Sequence, residues 1–309
     1  MKLSKLPPVT IGIPFYNAER FLLDAIRSVF VQTQCVWELI LMDDGSTDRS
    51  LEIAKSIDDP RIRVFSDGQN KRLAARLNEI HSLAKYDFVA RMDADDLMAS
   101  DRIEKQLRFL QEKPECDLVT TGVCSISDDS VPYGIRLPRN GQISTPYAVL
   151  SGVHGITHAA IVGRKEWFVR NPYDPNDDWA EDYKLWVRAR QKNALSIGFM
   201  SEALYYYREE GSATPQKMLS GKRIGREIVW KYGPQMIGFV GTVKLLAKSA
   251  LKSGVIRCSA FLGATSVIAR ARSPVADQQV FEAVRADIAR TKMVDLPVAC
   301  KNLSLVATN

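Results

Sequence analysis

The chain reads as an α/β protein built on a mostly parallel sheet with helices on both faces, followed by a helical extension. Three observations predict this. Short apolar runs alternate with amphipathic stretches over the first half of the chain, the rhythm of strands joined by crossover helices. Two of those runs end directly in acidic clusters. Asp43-Asp44-Gly45-Ser46-Thr47-Asp48 follows Leu39-Ile40-Leu41-Met42, and Asp93-Ala94-Asp95-Asp96 follows Phe88-Val89-Ala90-Arg91-Met92. From Pro215 the pattern turns basic and helical to near the end.

In order, 9–13 is the first strand, stopped by Pro14. The next segment sets Phe21, Leu22, Ala25, Ile26, Val29 and Phe30 on one helical face. Residues 37–42 form the second strand, and Ser46 or Thr47 then caps a helix to about 57. The third strand is 61–65, a helix covers 73–85, and 88–92 is the fourth strand. Asp101 is the expected cap of a helix carrying Ile103, Leu107 and Leu110. After 118–123 the rhythm becomes irregular, with turns near Asp128-Asp129-Ser130 and Tyr133-Gly134. Strands are expected at 157–162 and 195–199, with a helix from about 181 to 190 between them. The change of pattern after Gly211-Ser212-Ala213-Thr214 divides the chain into an α/β domain, 1–214, and a basic, mainly helical extension, 215–309.

With 309 residues, 46% of them hydrophobic, the chain can bury a full core. No run approaches the 18 or so apolar residues of a membrane span. The first residues carry two lysines but no apolar stretch of the secretory kind, and the five cysteines (Cys35, Cys116, Cys124, Cys258, Cys300) lack zinc-ligand spacing. Reduced thiols in a cytoplasmic protein are the plain expectation. The net charge of +6 hides an asymmetry. Residues 1–214 carry 27 basic and 31 acidic side chains, residues 215–309 carry 15 and 5, and Glu227 is the one acid between Pro215 and Arg272. The first part is suited to a cation, the second to an anionic surface. No nucleic-acid partner is expected.

Carboxylates at the carboxyl ends of parallel strands sit where open α/β sheets bind ligands. Crowding them is costly unless a cation or a polyhydroxyl ligand compensates, and of these a divalent metal carrying a diphosphate is the expected ligand. The plainer readings are that Asp43-Asp44-Gly45-Ser46 is a turn and that Asp93-Ala94-Asp95-Asp96 is a solvated loop before the next helix. Two and three acids against the ends of apolar strands exceed what either needs.

Taken in order, Pro14-Phe15-Tyr16-Asn17, the 43–48 and 90–96 clusters, 70–78, Ala180-Glu181-Asp182-Tyr183, and Tyr207-Arg208 with Gly211-Ser212 resemble the family 2 glycosyltransferases. Their nucleotide-sugar-binding fold is called GT-A, and the likeness spans 9–214. The resemblance implies an inverting, metal-dependent enzyme. It would move one sugar from a nucleotide-diphospho-sugar, a UDP-sugar first, to a hydroxyl of a glycan or lipid-linked acceptor in surface-polysaccharide synthesis. It implies that Pro14, Phe15, Tyr16 and Asn17 pack around the nucleotide and that Asp44 accepts the N3–H of a uracil or similar base. Asp93, Ala94 and Asp95 would form the DxD motif, with Asp93 and Asp95 holding Mg²⁺ or Mn²⁺ on the diphosphate, and Asp182 would be the general base. Arg72 stands where relatives commonly have glycine, which implies an approach to the base or phosphates. Glu209 or Glu210 takes the place of a histidine that joins the metal shell in relatives, and Lys184 that of another acid. No Gln-x-x-Arg-Trp run of the polymerising members occurs, so single-sugar transfer is implied.

Several positions keep two readings. Glu181-Asp182 is either the acceptor-side pair or an ordinary acidic first turn favoured by the helix dipole. His158 is an acceptor-pocket residue or a hydrogen-bonded structural histidine, and Trp179 stacks on a sugar or fills core. Arg91 adds charge near the nucleotide or pairs with a carboxylate. His81 and His154 give no signal. Two alternatives to transfer stand beside it. A sugar nucleotidyltransferase on a similar fold would need a glycine-rich loop that Pro14-Phe15-Tyr16-Asn17 lacks. A non-catalytic sugar-nucleotide binder is favoured by the missing histidine and opposed by Asp93, Asp95 and Asp182. No G-x-G-x-x-G follows a strand, against a dinucleotide oxidoreductase. In the extension, Lys244, Lys248 and Lys252 share one helical face and Val243, Leu246, Ala247, Ala250 and Leu251 another. That pattern fits an interfacial helix on anionic lipid, through 215–272 and on the inner face of the membrane, and equally an amphipathic helix packed on the first domain.

Overall fold

The computed structural model describes residues 6–138, 145–177, 180–209, 214–261 and 278–297. Its nine described strands are β1 (Val9–Phe15), β2 (Trp37–Asp43), β3 (Ile62–Phe65), β4 (Phe88–Arg91), β5 (Leu97–Met98), β6 (Leu118–Ile126), β7 (Pro132–Arg136), β8 (Val162–Arg164) and β9 (Ile197–Arg208). They form one sheet of order β3-β2-β1-β4-β8-β6-β9-β5, with β7 beside β6. The first four are parallel, as their alternation with helices requires. Beyond β4 the sheet is mixed. β8 runs antiparallel to β4 and β6, and β9 parallel to β6. The strands here are joined by loops and short helices rather than by regular crossovers.

The helices are α1 (Leu22–Phe30), α2 (Ser50–Ser56), α3 (Arg72–Leu83), α4 (Arg102–Glu112), α5 (Pro146–Leu150), α6 (Lys165–Arg170), α7 (Glu181–Gln191), α8 (Pro215–Phe261) and α9 (Gln278–Lys292). β1, β2 and β4 are buried along their whole length. Their side chains alternate between two cores: Ile11, Leu39 and Ala90 pack with α1 and α4, and Val89 packs with α3, α6 and α7. That two-sided burial holds the strand ends rigid.

Several expected boundaries move. β1 continues through Pro14, because β4 pairs with β1 only as far as Gly12 and a residue without an N–H is tolerated where the sheet has opened. Neither Ser46 nor Thr47 caps α2. Both are engaged with Asn17, and Asp48 accepts from the backbone N (3.0 Å) and Oγ (2.5 Å) of Ser50 instead. Asp101 precedes α4 without a side-chain cap and pairs with Lys105 at 2.8 Å. The strand expected at 157–162 is a 3₁₀ turn, His158–Ala160, followed by β8, and the one expected at 195–199 extends as β9 to Arg208.

α8 is two helices. Gly238 (φ 73°, ψ 166°) breaks it in a conformation that suits a residue without Cβ, four residues after Pro234. The arms fold back on each other, with Arg226 Nη1 donating to Ser253 Oγ at 2.9 Å and Gly233 against Thr242. The hairpin inserts Ile228, Val229 and Leu245 into the core beside α7. Of the apolar stripe expected at 243–251, Leu246 packs partly on this core while Val243 and Leu251 are exposed. Among the described residues no helix is long and apolar enough to cross a membrane.

Candidate active site

β1 and β2 end in register, Phe15 opposite Asp43, and Asp44 N donates to Phe15 O at 2.8 Å. The 14–17, 43–48 and 93–96 segments therefore share the carboxyl edge of the parallel strands. Phe15 ends β1 with its side chain buried. Its ring lies in the core with Pro14 buried before it, and Tyr16, half exposed, is the aromatic presented to solvent. Asn17 takes φ 49°, a left-handed conformation that asparagine tolerates, and its Oδ1 accepts from Thr47 N at 2.8 Å. Asp43 accepts from Ser46 N (3.0 Å) and Ser66 Oγ (2.7 Å).

Asp44 is buried and holds the 69–72 loop. Its carboxylate accepts from Lys71 N (2.7 Å), Arg72 N (3.0 Å) and Arg76 Nε (2.9 Å). The buried Arg76 also grips Asp67 and Glu79, at 2.6 and 2.7 Å. Gly45 (φ 77°) is required here, since a Cβ would lie 2.9 Å from the Gln69 carbonyl carbon. Arg72 is exposed at φ 69°, its backbone turned toward Asp44.

At the end of β4, Arg91 Nη2 donates to Asp93 at 2.6 Å, so Arg91 does pair with a carboxylate, and its buried Nε keeps no partner. The acidic turn is held from β9. Tyr205 Oη accepts from Asp93 N (3.0 Å) and donates to Asp96 (2.8 Å). Arg208 N donates to Asp96 (2.7 Å), and Arg208 Nε to Asp95 O (2.7 Å). Burial, then Asp93 and Asp95, hold the Asp96 carboxyl well above the usual range. Ala94 is buried in the core and can offer only backbone. Asp95 stays exposed, yet the protein packed around it and Asp93 beside it push its carboxyl up to about 6. A carboxylate so crowded fits a cation, because a nearby positive charge removes the penalty. Among the described residues no three acidic, His or Cys side chains form a closed metal site. Two carboxylates completed by phosphate oxygens and waters are the usual arrangement for Mg²⁺.

A cavity of about 820 Å³ joins this edge to the second acidic pair, with Arg91, Asp93 and Tyr207 in its wall along with His158, Glu181 and Asp182. Ala180 (φ 60°) turns the chain into α7 and sets Glu181 and Asp182 in its first turn. Burial and then Asp182 raise the Glu181 carboxyl. His158 Nε2 lies 2.6 Å from Tyr173 Oη, with its ring edge-on to Trp186. Burial, then Arg91 and His81, hold it well below the ordinary histidine value, hence neutral.

His154 is the residue that sequence reasoning missed. It lines the same cavity, and its Nδ1 accepts from Ile156 N at 3.1 Å, so Nε2 carries the proton. Burial lowers its pKa while Asp182 opposes that shift. The Gly-rich loop around it carries no motif, and only the fold brings it to Asp182. Glu209 accepts from Ser125 Oγ and Arg136 Nη1, and Lys184 pairs with Asp177 at 2.6 Å. Trp179 and Glu210 lie outside the described residues.

Sheet, acidic turn and facing acidic pair define the GT-A class of nucleotide-sugar transferase. The fold is similar to TarS of S. aureus, solved with UDP (17% identity, TM-score 0.56, 79% of this chain and 70% of that one). It is also similar to the mannosyltransferase PcManGT of Pyrobaculum calidifontis, solved with GDP-Man and Mn²⁺ (15% identity, TM-score 0.57, 93% and 86%). The model of glycosyl transferase family 2 matches residues 10–170. EpsE of Bacillus subtilis, which carries a glycosyltransferase name, is 34% identical over 218 residues, 67% of this chain and 75% of that protein. TuaG of the same organism, named for teichuronic acid biosynthesis, is 28% identical over 204 residues, 65% and 79%. The chain belongs to glycosyl transferase family 2.

Proposed function

We propose that this glycosyltransferase moves one sugar, with inversion, from a UDP-sugar or related donor to a hydroxyl of a glycan or lipid-linked acceptor in surface-polysaccharide synthesis. One observation carries the reading: Asp93, at the end of β4, and Asp182, in the first turn of α7, line a single cavity. The donor would lie along Tyr16, Asn17 and the loop braced by Asp44, with Arg72 at its edge. Asp93 and Asp95 would hold Mg²⁺ or Mn²⁺, which when bound neutralises the diphosphate as a leaving group. The nucleotides and Mn²⁺ in the solved relatives support that assignment. Asp182 takes the proton from the acceptor oxygen as that oxygen bonds to the anomeric carbon and the bond to the diphosphate breaks. One displacement inverts the configuration. Neutral His158, fixed by Tyr173, and Glu181 can orient the acceptor hydroxyl. Residues 1–214 would supply this chemistry and 215–309 an extension that meets an anionic membrane. The name of TuaG supports a place in cell-surface polymer synthesis.

The test is a thermal-shift series with nucleoside diphosphates and Mn²⁺, since a ligand that binds the native state raises its apparent stability. A nucleotide should stabilise the protein with Mn²⁺ present and much less in excess chelator, and Asp95→Ala should remove the Mn²⁺-dependent part. Full transfer activity in chelator would overturn the metal role.

A further inference from the structure

We infer that Arg91 grips the transferred sugar, its guanidinium forming one wall of the sugar subsite and donating to an oxygen of that sugar. The inference rests on the transferase reading above and adds a specificity-determining residue to it. Arg91 ends β4 and is 6% exposed, yet it lines the large cleft. A guanidinium offers five N–H donors in a rigid fork. Among the described residues the Arg91 side chain makes one hydrogen bond, from Nη2 to Asp93 at 2.6 Å, and its Nε is buried without a partner. The other buried arginines are completed by protein. Arg76 bonds Asp44, Asp67 and Glu79. Arg102 bonds Gln106 and two carbonyls, and Arg208 bonds the carbonyls of Asp95, Ser127 and Asp128. Of the four, Arg91 is the one in the wall of the cleft. A buried cation with unused donors is costly unless something supplies acceptors, and the open side of this one is the cleft.

The position identifies the acceptor atom as part of the sugar. Asp93, assigned to the diphosphate, and Asp182, assigned to the acceptor hydroxyl, line the same cleft, so the sugar that passes between them lies in the interval. Arg91 reaches both ends of that interval. It is bonded to Asp93 on one side. On the other, its charge follows burial among the causes that keep His158 neutral, and it offsets part of the rise that burial and then Asp182 give Glu181. The second arginine of the wall, Arg136, is engaged by Glu209 and Ser125. The fitting ligand is a sugar oxygen that accepts N–H, either a hydroxyl or acetamido oxygen of a neutral sugar or the carboxylate of a uronic acid. A carboxylate can take two parallel N–H bonds from the fork.

The experiment measures affinities of the full chain, with Mn²⁺ present, for UDP, UDP-glucose, UDP-N-acetylglucosamine and UDP-glucuronate, and for GDP and GDP-mannose. It compares wild type with Arg91→Gln and with Arg91→Lys, which keeps the charge beside Asp93 and loses the fork. The quantity read is the affinity for each sugar nucleotide divided by that for its own nucleoside diphosphate. A ratio that falls about tenfold or more in Arg91→Gln for at least one sugar, the scale of one hydrogen bond from a charged donor, supports the inference. A fall confined to UDP-glucuronate identifies the oxygen as a carboxylate, and a fall with the neutral sugars identifies a hydroxyl or acetamido oxygen. Should Arg91→Gln fail to fold, the same fall in Arg91→Lys carries the comparison. Ratios equal in wild type and variants overturn the inference. In that case diphosphates and sugar nucleotides that weaken in step make Arg91 a brace for Asp93 and nothing more. Wild type that binds neither UDP nor GDP removes the transferase reading and the inference with it, whereas nucleotide binding with unaltered ratios removes the inference alone.

Discussion

Glu181 and Asp182 are neighbours in the chain with different surroundings. Glu181 is raised by burial and by Asp182, whereas Asp182 accepts from Tyr183 N at 2.6 Å in its own turn. Asp182→Asn keeps the shape and removes proton acceptance. General-base catalysis is typically worth ~10² to 10⁴ in rate, so single-turnover transfer should fall by that factor while UDP affinity with Mn²⁺ holds. Near-normal turnover, with chemistry rate-limiting, would move the base to Glu181 or His158. A different test belongs to His81, buried and stacked on Phe168 with centroids 4.1 Å apart. Burial, then Arg91, push it down to about 3. Between that value and the unfolded value near 6.5 the unfolded chain binds the extra proton, so the folded state loses about 1.4 kcal/mol per pH unit as pH falls. His81→Phe should flatten the acid limb of stability between pH 6.5 and 4, read as denaturation midpoints against pH. Identical limbs would reject the assignment. The acidic residues of the site were legible because several carboxylates directly after apolar strands have few structural uses. Which layer the Phe15 ring faces was not legible, because an aromatic at the last strand position can face either and the period alone does not say which.

At the scale of elements, the acidic turn depends on β9, more than a hundred residues away in sequence. Tyr205 Oη bridges Asp93 N and Asp96, and Arg208 lies over the Phe21 ring, 4.3 Å from its centroid, while bonding the turn. Tyr205→Phe leaves a buried carboxyl and an N–H without that partner, which costs about 1–3 kcal/mol. It should lower both the denaturation midpoint and the Mn²⁺-dependent affinity for UDP. Loss of stability with unchanged Mn²⁺-dependent affinity would make the tyrosine mere scaffold. β1, β2 and β4 were readable in advance because continuous apolar runs buried on both faces have few other fates. β5, β7 and the 158–160 turn were not, since their pairing partners are set by distant chain. The break in α8 was equally hidden, because a glycine within a helical pattern is usually tolerated.

Charge and exposure organise the whole molecule into unlike ends. α8 carries nine basic residues and one acid; its hairpin turn presents Phe239 and Val240, each 66% exposed, and its arms present Trp230 at 61% and Leu251 at 73%. Large apolar side chains beside lysines, without partners among the described residues, suit an anionic membrane surface better than water. Each basic residue near such a surface contributes about 1 kcal/mol, and salt screens that attraction within roughly 8 Å at physiological strength. Burying one large apolar side chain adds about 1.5–3 kcal/mol. Deleting 215–309 is a poor test, because Ile228, Val229 and Leu245 belong to the core. Phe239→Ser with Val240→Ser leaves core and lysines intact. The double variant should partition into phosphatidylglycerol vesicles about tenfold or more weakly at fixed salt, with nucleotide binding unchanged. Added salt should weaken wild type and variant in parallel, since the two substitutions remove apolar burial and leave the charge. Equal partitioning of the two proteins across the salt series would mean that the hairpin turn stays in water.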